Sequence, residues 1–333
     1  MWSWIKRIFL LALCLTLLAV AGLGWYAFSP LKLRSDPAEF SIKPGSSLKS
    51  ATRQIAESGI ELSAWQFNLL GRLLGKASTI KAGSYEAGSG ITPLALLDKL
   101  TAGDVTQTDV VFIEGWTFRQ LRAALNSDPG VRHDSAAFSN AEIMSRLGAP
   151  ERSPEGLFFP DTYVFGKGTS DLDILRRAYA AMDRQLQTAW ELRAPDLPYR
   201  SPYEALIMAS VIEKETGQST DRALIGGVFV NRLRIGMMLQ TDPSVIYGLG
   251  EEFDGNLRKK DLRADTPHNT YTRAGLPPTP IAMPGLAALQ AALNPAKTTA
   301  LYFVARGDGS SEFSRTLAEH ERAVTKYQRR GRR

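Results

Sequence analysis

Residues Ile8 to Phe28 contain no charged side chain, and that run constrains the chain more than any other feature. A helix of this length rises about 1.5 Å per residue and so covers roughly 30 Å, the depth of a bilayer's hydrocarbon core. Lys6 and Arg7 stand directly before it, and Trp2, Trp4, Trp25 and Tyr26 lie near its two ends. Basic residues on the short side and aromatics at both margins predict a transmembrane helix whose amino terminus stays in the cytoplasm. Residues 1–7 then form a cytoplasmic tail, 8–28 the span and 29–38 a stalk. Two processing alternatives exist. Ala19-Val20-Ala21 has the small residues of a signal-peptidase site. Cys14 could carry a lipid, but Leu13 stands where a small residue is needed. No other cysteine is present, so the portion beyond the span forms no internal disulfide, which suits an oxidising compartment without requiring one.

The remaining composition excludes several chemistries. The net charge is +6, part of it in Arg329, Arg330, Arg332 and Arg333, and no Lys/Arg run is interleaved with aromatics, so no nucleic-acid partner is expected. His133, His268 and His320 are isolated, which leaves no metal-ligand cluster. Gly71 to Lys76 is one residue short of a phosphate loop and Gly248-Leu249-Gly250 lacks a third glycine. No Gly-x-Ser-x-Gly elbow occurs. Neither a metal nor a cofactor is expected.

Beyond the stalk the pattern predicts an α+β chain. Three units each read as a strand, a glycine, a Ser or Thr cap and a helix, beginning at Phe40, Gly83 and Val110. A helix from Trp65 to Leu74 fits between the first two, giving a βααβ arrangement from Phe40 to Glu86. Residues 104–153 read as a connecting α+β region. The segment 154–333 is mainly helical, with helices near 172–193, 202–216, 222–234 and 286–293 and a strand from Ala300 to Ala305 that ends the core. Asp265 to Gly285 is rich in proline and reads as a long irregular loop, a common form of binding loop.

One helix carries chemistry. Ser201 is its cap, Pro202 its first residue, and Glu204 is placed to complete a capping box. Ala205 to Ile212 follow, apolar nearly all round, as in a core helix. The helix then delivers Glu213-Lys214-Glu215-Thr216, with Gly217 as its expected stop. A carboxyl at the end of a buried helix is desolvated, and its pKa rises until it can hold a proton near neutrality. Such an acid can protonate a glycosidic oxygen. Glu213 and Glu215 differ by about 200° around the axis, so only one can face a given cleft. Spacing favours Glu215 only slightly, and a solvated helix end is the competing reading.

Longer motifs add to this. Ala209 to Thr216, Val228 to Leu233, Leu239 to Pro243, Val245 to Gly248, Phe159 to Tyr163, Asn269 to Tyr271, Gly275 to Pro278 and Leu301 to Ala305 resemble the MltG (YceG-like) family of endolytic murein transglycosylases. The resemblance runs through the whole chain and is densest from residue 157 onward. It implies an inner-membrane protein with its catalytic region in the periplasm, a LysM-like subdomain over 39–103 and a catalytic domain over 154–333. It implies that Glu215 is the catalytic acid. It further implies cleavage of nascent peptidoglycan glycan strands between N-acetylmuramic acid and N-acetylglucosamine, leaving 1,6-anhydro ends and terminating elongation beside peptidoglycan synthases (penicillin-binding proteins). A retaining glycosidase needs two carboxylates, whereas here the sugar's own 6-hydroxyl can attack, so one glutamate serves as acid and then as base.

Gln240 and Asp242 are candidates to hold substrate or orient Glu215, although an Asp-Pro pair is also an ordinary turn, and Asp242 as a second catalytic carboxylate would point to hydrolysis. Tyr247, Asn269 and Tyr271 could stack on or bond to sugars. Asn231, with Arg232 beside it, is a substrate contact or a buried brace. Glu114 could reach the cleft from its strand exit. The alternative function is a non-catalytic, membrane-anchored peptidoglycan-binding scaffold.

Overall fold

The computed structural model describes residues 2–329, so Arg330, Arg332 and Arg333 of the basic run lie outside the described residues. The chain divides into two compact units. The first runs through Asp109 and takes in Gly130–Arg132 and Val164–Thr169; the second holds Val110–Pro129, His133–Tyr163 and the chain from Ser170 onward.

The first unit opens with helix α1, Trp2–Phe28, which begins six residues before the uncharged run because Lys6 and Arg7 are good helix formers. Its Trp4–Phe28 stretch is long and apolar enough to cross a membrane. Strand β1 (Lys32–Leu33), β2 (Ala38–Ile42), α2 (Leu48–Glu57), β3 (Ile60–Glu61), α3 (Ala64–Leu73), β4 (Gly83–Ala87) and α4 (Pro93–Ala102) follow. The two strands and two helices of the expected βααβ unit are present, with the two-residue strand β3, paired to β1, standing between the helices; β2 and β4 are antiparallel, with Phe40 opposite Tyr85. Those two rings stack at 5.5 Å over a core that includes Ile55, Phe67, Leu96, Leu97 and Leu100. Ser47 and Thr92 cap α2 and α4, and Gly103 ends α4 in the left-handed conformation at φ 74°, as a C-terminal glycine should.

Next come β5 (Gln107–Val111), α5 (Phe118–Ser127), β6 (Val131–Arg132), α6 (Asn140–Arg146), β7 (Thr162–Gly166) and β8 (Thr169–Ser170). Strand β5 pairs with β7, and β6 with β8. The second unit is then built by α7 (Asp171–Glu191), α8 (Pro202–Glu215), α9 (Ser219–Arg234), α10 (Asp242–Leu249), α11 (Lys259–Arg263) and α12 (Leu286–Leu293). Helix α8 is its centre: Ala205 to Ile212 are all buried, packed among α7, α9, α10 and α12. Two glycines let α9 approach. A Cβ on Gly226 would stand 2.4 Å from the Ala291 carbonyl oxygen, and one on Gly227 2.4 Å from that of Ala296.

Three local expectations need correction. Ser201 caps α8, but Glu204 accepts the N–H of Arg200, one residue earlier than a capping box requires. Thr216, in extended conformation, stops the helix, and Gly217 does not take a left-handed φ. The core does not end at the 300–305 strand. Strand β9 (Tyr302–Ala305) pairs antiparallel with β10 (Ser311–Ser314), and helix α13 (Leu317–Val324) packs on that pair, capped by a Thr316/Glu319 box.

Candidate active site

The two glutamates of α8 face different surroundings, and the loop from 265 to 285 is what separates them. Ser210 and Glu213 lie three residues apart, hence on one face. The Ile281 N–H donates to the Ser210 hydroxyl at 3.0 Å, and the Gly285 N–H to Glu213 Oε2 at 2.9 Å. Arg222 lies 3.6 Å from the other oxygen of Glu213, both side chains nearly buried. Burial still raises the Glu213 pKa, and the nearby Glu114 adds to the rise. That carboxyl is already occupied in fastening the loop to the helix.

Glu215 turns the other way, toward the start of α10. Part of its side chain reaches the surface, so a ligand can approach it, yet its surroundings push its pKa up to about 7. Desolvation is the main cause. The Thr241 hydroxyl opposes it, the Asp242 charge reinforces it, and the Arg232 charge opposes it. Thr241 is 1% exposed, and among the described residues its hydroxyl closes no well-formed hydrogen bond. The acceptor it serves is the neighbouring Glu215 carboxyl. Buried polar groups are seldom left so without a functional reason.

Asp242 begins α10, with Pro243 in the first turn, so the Asp-Pro pair starts a helix and is no mere turn. Its carboxylate accepts from the Tyr271 hydroxyl, and burial, with the Asp242 hydrogen bond next, raises the Tyr271 pKa. Thr270 ties this corner together: its hydroxyl accepts the Thr241 N–H at 3.0 Å and meets the Ser244 hydroxyl at 2.8 Å. Gln240, exposed, has φ 50°, a left-handed conformation costly for a residue with a Cβ and often kept at ligand sites. Arg232, 6% exposed, donates from Nε to the Leu301 carbonyl at 2.7 Å and from Nη1 to that of Leu239 at 2.6 Å. This places its charge close enough to act on Glu215.

The structure therefore brings together Glu215, Asp242 and Tyr271, with Gln240 adjacent in the chain. It gives the other candidates different work. The Asn231 amide is spent on the carbonyls of Thr298 and Ala300, which makes it a brace. Asn269 is 0% exposed and donates to the carbonyls of Asp261, Leu262 and Ala264, so it has no surface to offer a ligand. Glu114 presses against Gly285, whose added Cβ would sit 1.8 Å from Glu114 Oε1; it neighbours Glu213 and not Glu215. Tyr247 gives its hydroxyl to Glu155 at 3.2 Å and sets its ring edge-on to His268 at 4.9 Å.

Glu155 has no signal in the sequence, because Ser-Pro-Glu-Gly looks like a surface turn. It is 5% exposed, accepts the Phe118 N–H at 3.1 Å, and has its pKa pushed up to about 7, chiefly by burial. Between the unfolded value near 4.5 and about 7 the folded state holds a proton that the unfolded chain has released. Stability must therefore fall as pH rises across that window, by up to on the order of 3 kcal/mol per group. Glu155→Gln is expected to flatten that slope. Thermal unfolding at pH 5 and pH 7.5 measures it, and an unchanged difference between the two would show that Glu155 is ionised throughout.

Comparison with known proteins follows the same lines. The YceG-like family model matches residues 40–326. An endolytic murein transglycosylase from Bacillus subtilis strain 168 is 32% identical over 314 residues, covering 86% of this chain and 84% of that protein. One from Streptococcus pneumoniae strain D39 is 33% identical over 179 residues, 52% of this chain and 32% of its own. A crystal structure of a YceG-like protein from Listeria monocytogenes superposes with a TM-score of 0.54 at 28% identity, covering 86% of this chain and 99% of that one.

Proposed function

The chain belongs to the YceG-like family, and on that footing we propose that it is an endolytic murein transglycosylase, cutting peptidoglycan glycan strands with Glu215 as acid and base. The observation that carries this reading is the largely buried carboxyl at the end of α8, part of which reaches the surface, held near neutrality by burial and released from structural duty because Glu213 does the fastening. Protonated Glu215 gives its proton to the glycosidic oxygen between N-acetylmuramic acid and N-acetylglucosamine, and the C1–O bond breaks. The muramic 6-hydroxyl oxygen then bonds to C1, closing the 1,6-anhydro ring, and its proton returns to the carboxylate. No water is consumed, and the attack is intramolecular. Burial sets the affinity of Glu215 for its proton and Thr241, Asp242 and Arg232 adjust it, while Gln240, Asp242 and Tyr271 supply polar contacts to the sugar.

In this reading α1 anchors the protein in the inner membrane with its amino terminus in the cytoplasm. Residues 39–103 form a LysM-like peptidoglycan-binding subdomain, 104–153 connect, and 154–333 carry catalysis in the periplasm. Penicillin-binding proteins making new strands are the natural neighbours of an enzyme that ends them. The antiparallel pairing of β2 with β4, with α2 and α3 between them in the chain, supports the LysM-like assignment.

The proximity of Asp242 to Glu215 keeps hydrolysis as a second reading, and one experiment separates the two. Full-length protein is incubated with glycan strands in heavy-oxygen water and the products are weighed by mass spectrometry. Anhydro ends without the heavy isotope are expected. Reducing ends that carry it would mean hydrolysis, and binding without any cleavage would mean a scaffold.

A further inference from the structure

Helix α3 has two apolar faces. Phe67, Leu70 and Gly71 are buried in the core of the first unit. Trp65, Leu69 and Leu73 follow one another at four-residue intervals, so they form a second stripe, and it is uncovered: Trp65 is 69% exposed and Leu73 67%. Single exposed apolar residues are ordinary, but a contiguous stripe marks an interaction surface.

What lies beside the stripe says what covers it. The Tyr26 hydroxyl near the end of α1 donates to the carbonyl of Ser63, the cap of α3. Ala27 is buried in the same core, and α1 packs on both α3 and α4. Helix α3 therefore starts where the apolar helix ends. Trp25 and Phe28 at that end of α1 are 78% and 69% exposed. Lys49 and Arg53 of α2 and Arg72 of α3 line the adjoining groove, and Arg53 pairs only loosely with Glu57 at 3.8 Å. A tryptophan, an aliphatic stripe and a basic margin are the make-up of a helix lying in the headgroup layer.

We propose that the Trp65–Leu69–Leu73 face of α3 rests in the interfacial layer of the bilayer that α1 crosses, with the neighbouring basic side chains meeting anionic headgroups. This rests on the reading of α1 as a membrane anchor, and the test keeps the two apart. Full-length protein carrying Cys14→Ser is given single cysteines by Leu69→Cys, Leu73→Cys, Leu18→Cys or Glu86→Cys, spin-labelled, and placed in nanodiscs containing phosphatidylglycerol. The ratio of collisions with oxygen, which enters lipid, to collisions with a water-soluble nickel chelate reports depth. Positions 69 and 73 are expected to give ratios several-fold above position 86 and approaching position 18. If they match position 86 while position 18 reads lipid, the proposal is overturned and the anchor stands. If position 18 also reads water, the anchor fails and the proposal falls with it. If positions 69 and 73 read water and become shielded only when glycan strands are added, the face belongs to the sugar and the proposal is overturned.

Discussion

Glu215→Gln is expected to reduce strand cleavage by at least about 10²–10⁴-fold, the usual contribution of a positioned proton donor, with no loss of thermal stability at neutral pH. Glutamine fills the same space but cannot give up a proton to a glycosidic oxygen. It also removes a carboxyl whose ionisation inside the fold is disfavoured, as its pKa near 7 records. The same value fixes the pH dependence. Below about pH 7 the free enzyme carries the acid in protonated form; above it the proton is gone, so cleavage by the wild-type protein should decline as pH rises through that point. Glu213→Gln should behave in the opposite sense. It loosens the contact with Arg222, whose buried Nε already has no hydrogen-bond partner among the described residues, and should cost about 1–3 kcal/mol of stability while leaving anhydro products in the mixture. Quantifying anhydro ends by mass spectrometry and melting both variants decides between the glutamates. Comparable activity loss in both would mean that the two glutamates do not differ in role.

That distinction was beyond the sequence, although the helix was not. An apolar stretch with a serine cap and a proline at its start announces α8 directly. Which glutamate of its last turn is free depends on the Gly285 N–H and on Thr241 and Asp242, partners about 26 to 72 residues away in the chain that only the folded loop brings near. Asn269 and Tyr271 show the same limit, since two residues of one motif end up respectively sealed inside and partly exposed beside Asp242. Glu155 was hidden by the residues around it. Its turn-like context gives no hint that Gly156 packs against Pro280, where an added Cβ would come within 2.4 Å. Helix α13, by contrast, carries a legible start: Thr316 and Glu319 form a capping box, a signal as plain as the one at Ser139 and Glu142.

Arg232→Met should be the most damaging change that touches neither substrate nor proton. Methionine keeps the length of the stem, but the hydrogen bonds to the carbonyls of Leu239 and Leu301 disappear inside the fold. Charge-assisted bonds of this kind are worth about 1.5–3 kcal/mol each, so the loss should lower the melting temperature by several degrees. A merely structural role would end there. Arg232 also opposes the rise in the Glu215 pKa, and without its charge that pKa must climb further. The alkaline decline in cleavage should therefore move to higher pH in whatever fraction remains folded. Arg232→Lys separates the two effects, since it keeps the charge but not the planar fork that reaches both carbonyls. It should lose stability while holding the decline near its wild-type position. A methionine variant whose pH profile matches the wild type would show that Arg232 only braces the fold, and that burial and Asp242 alone set the proton affinity of Glu215.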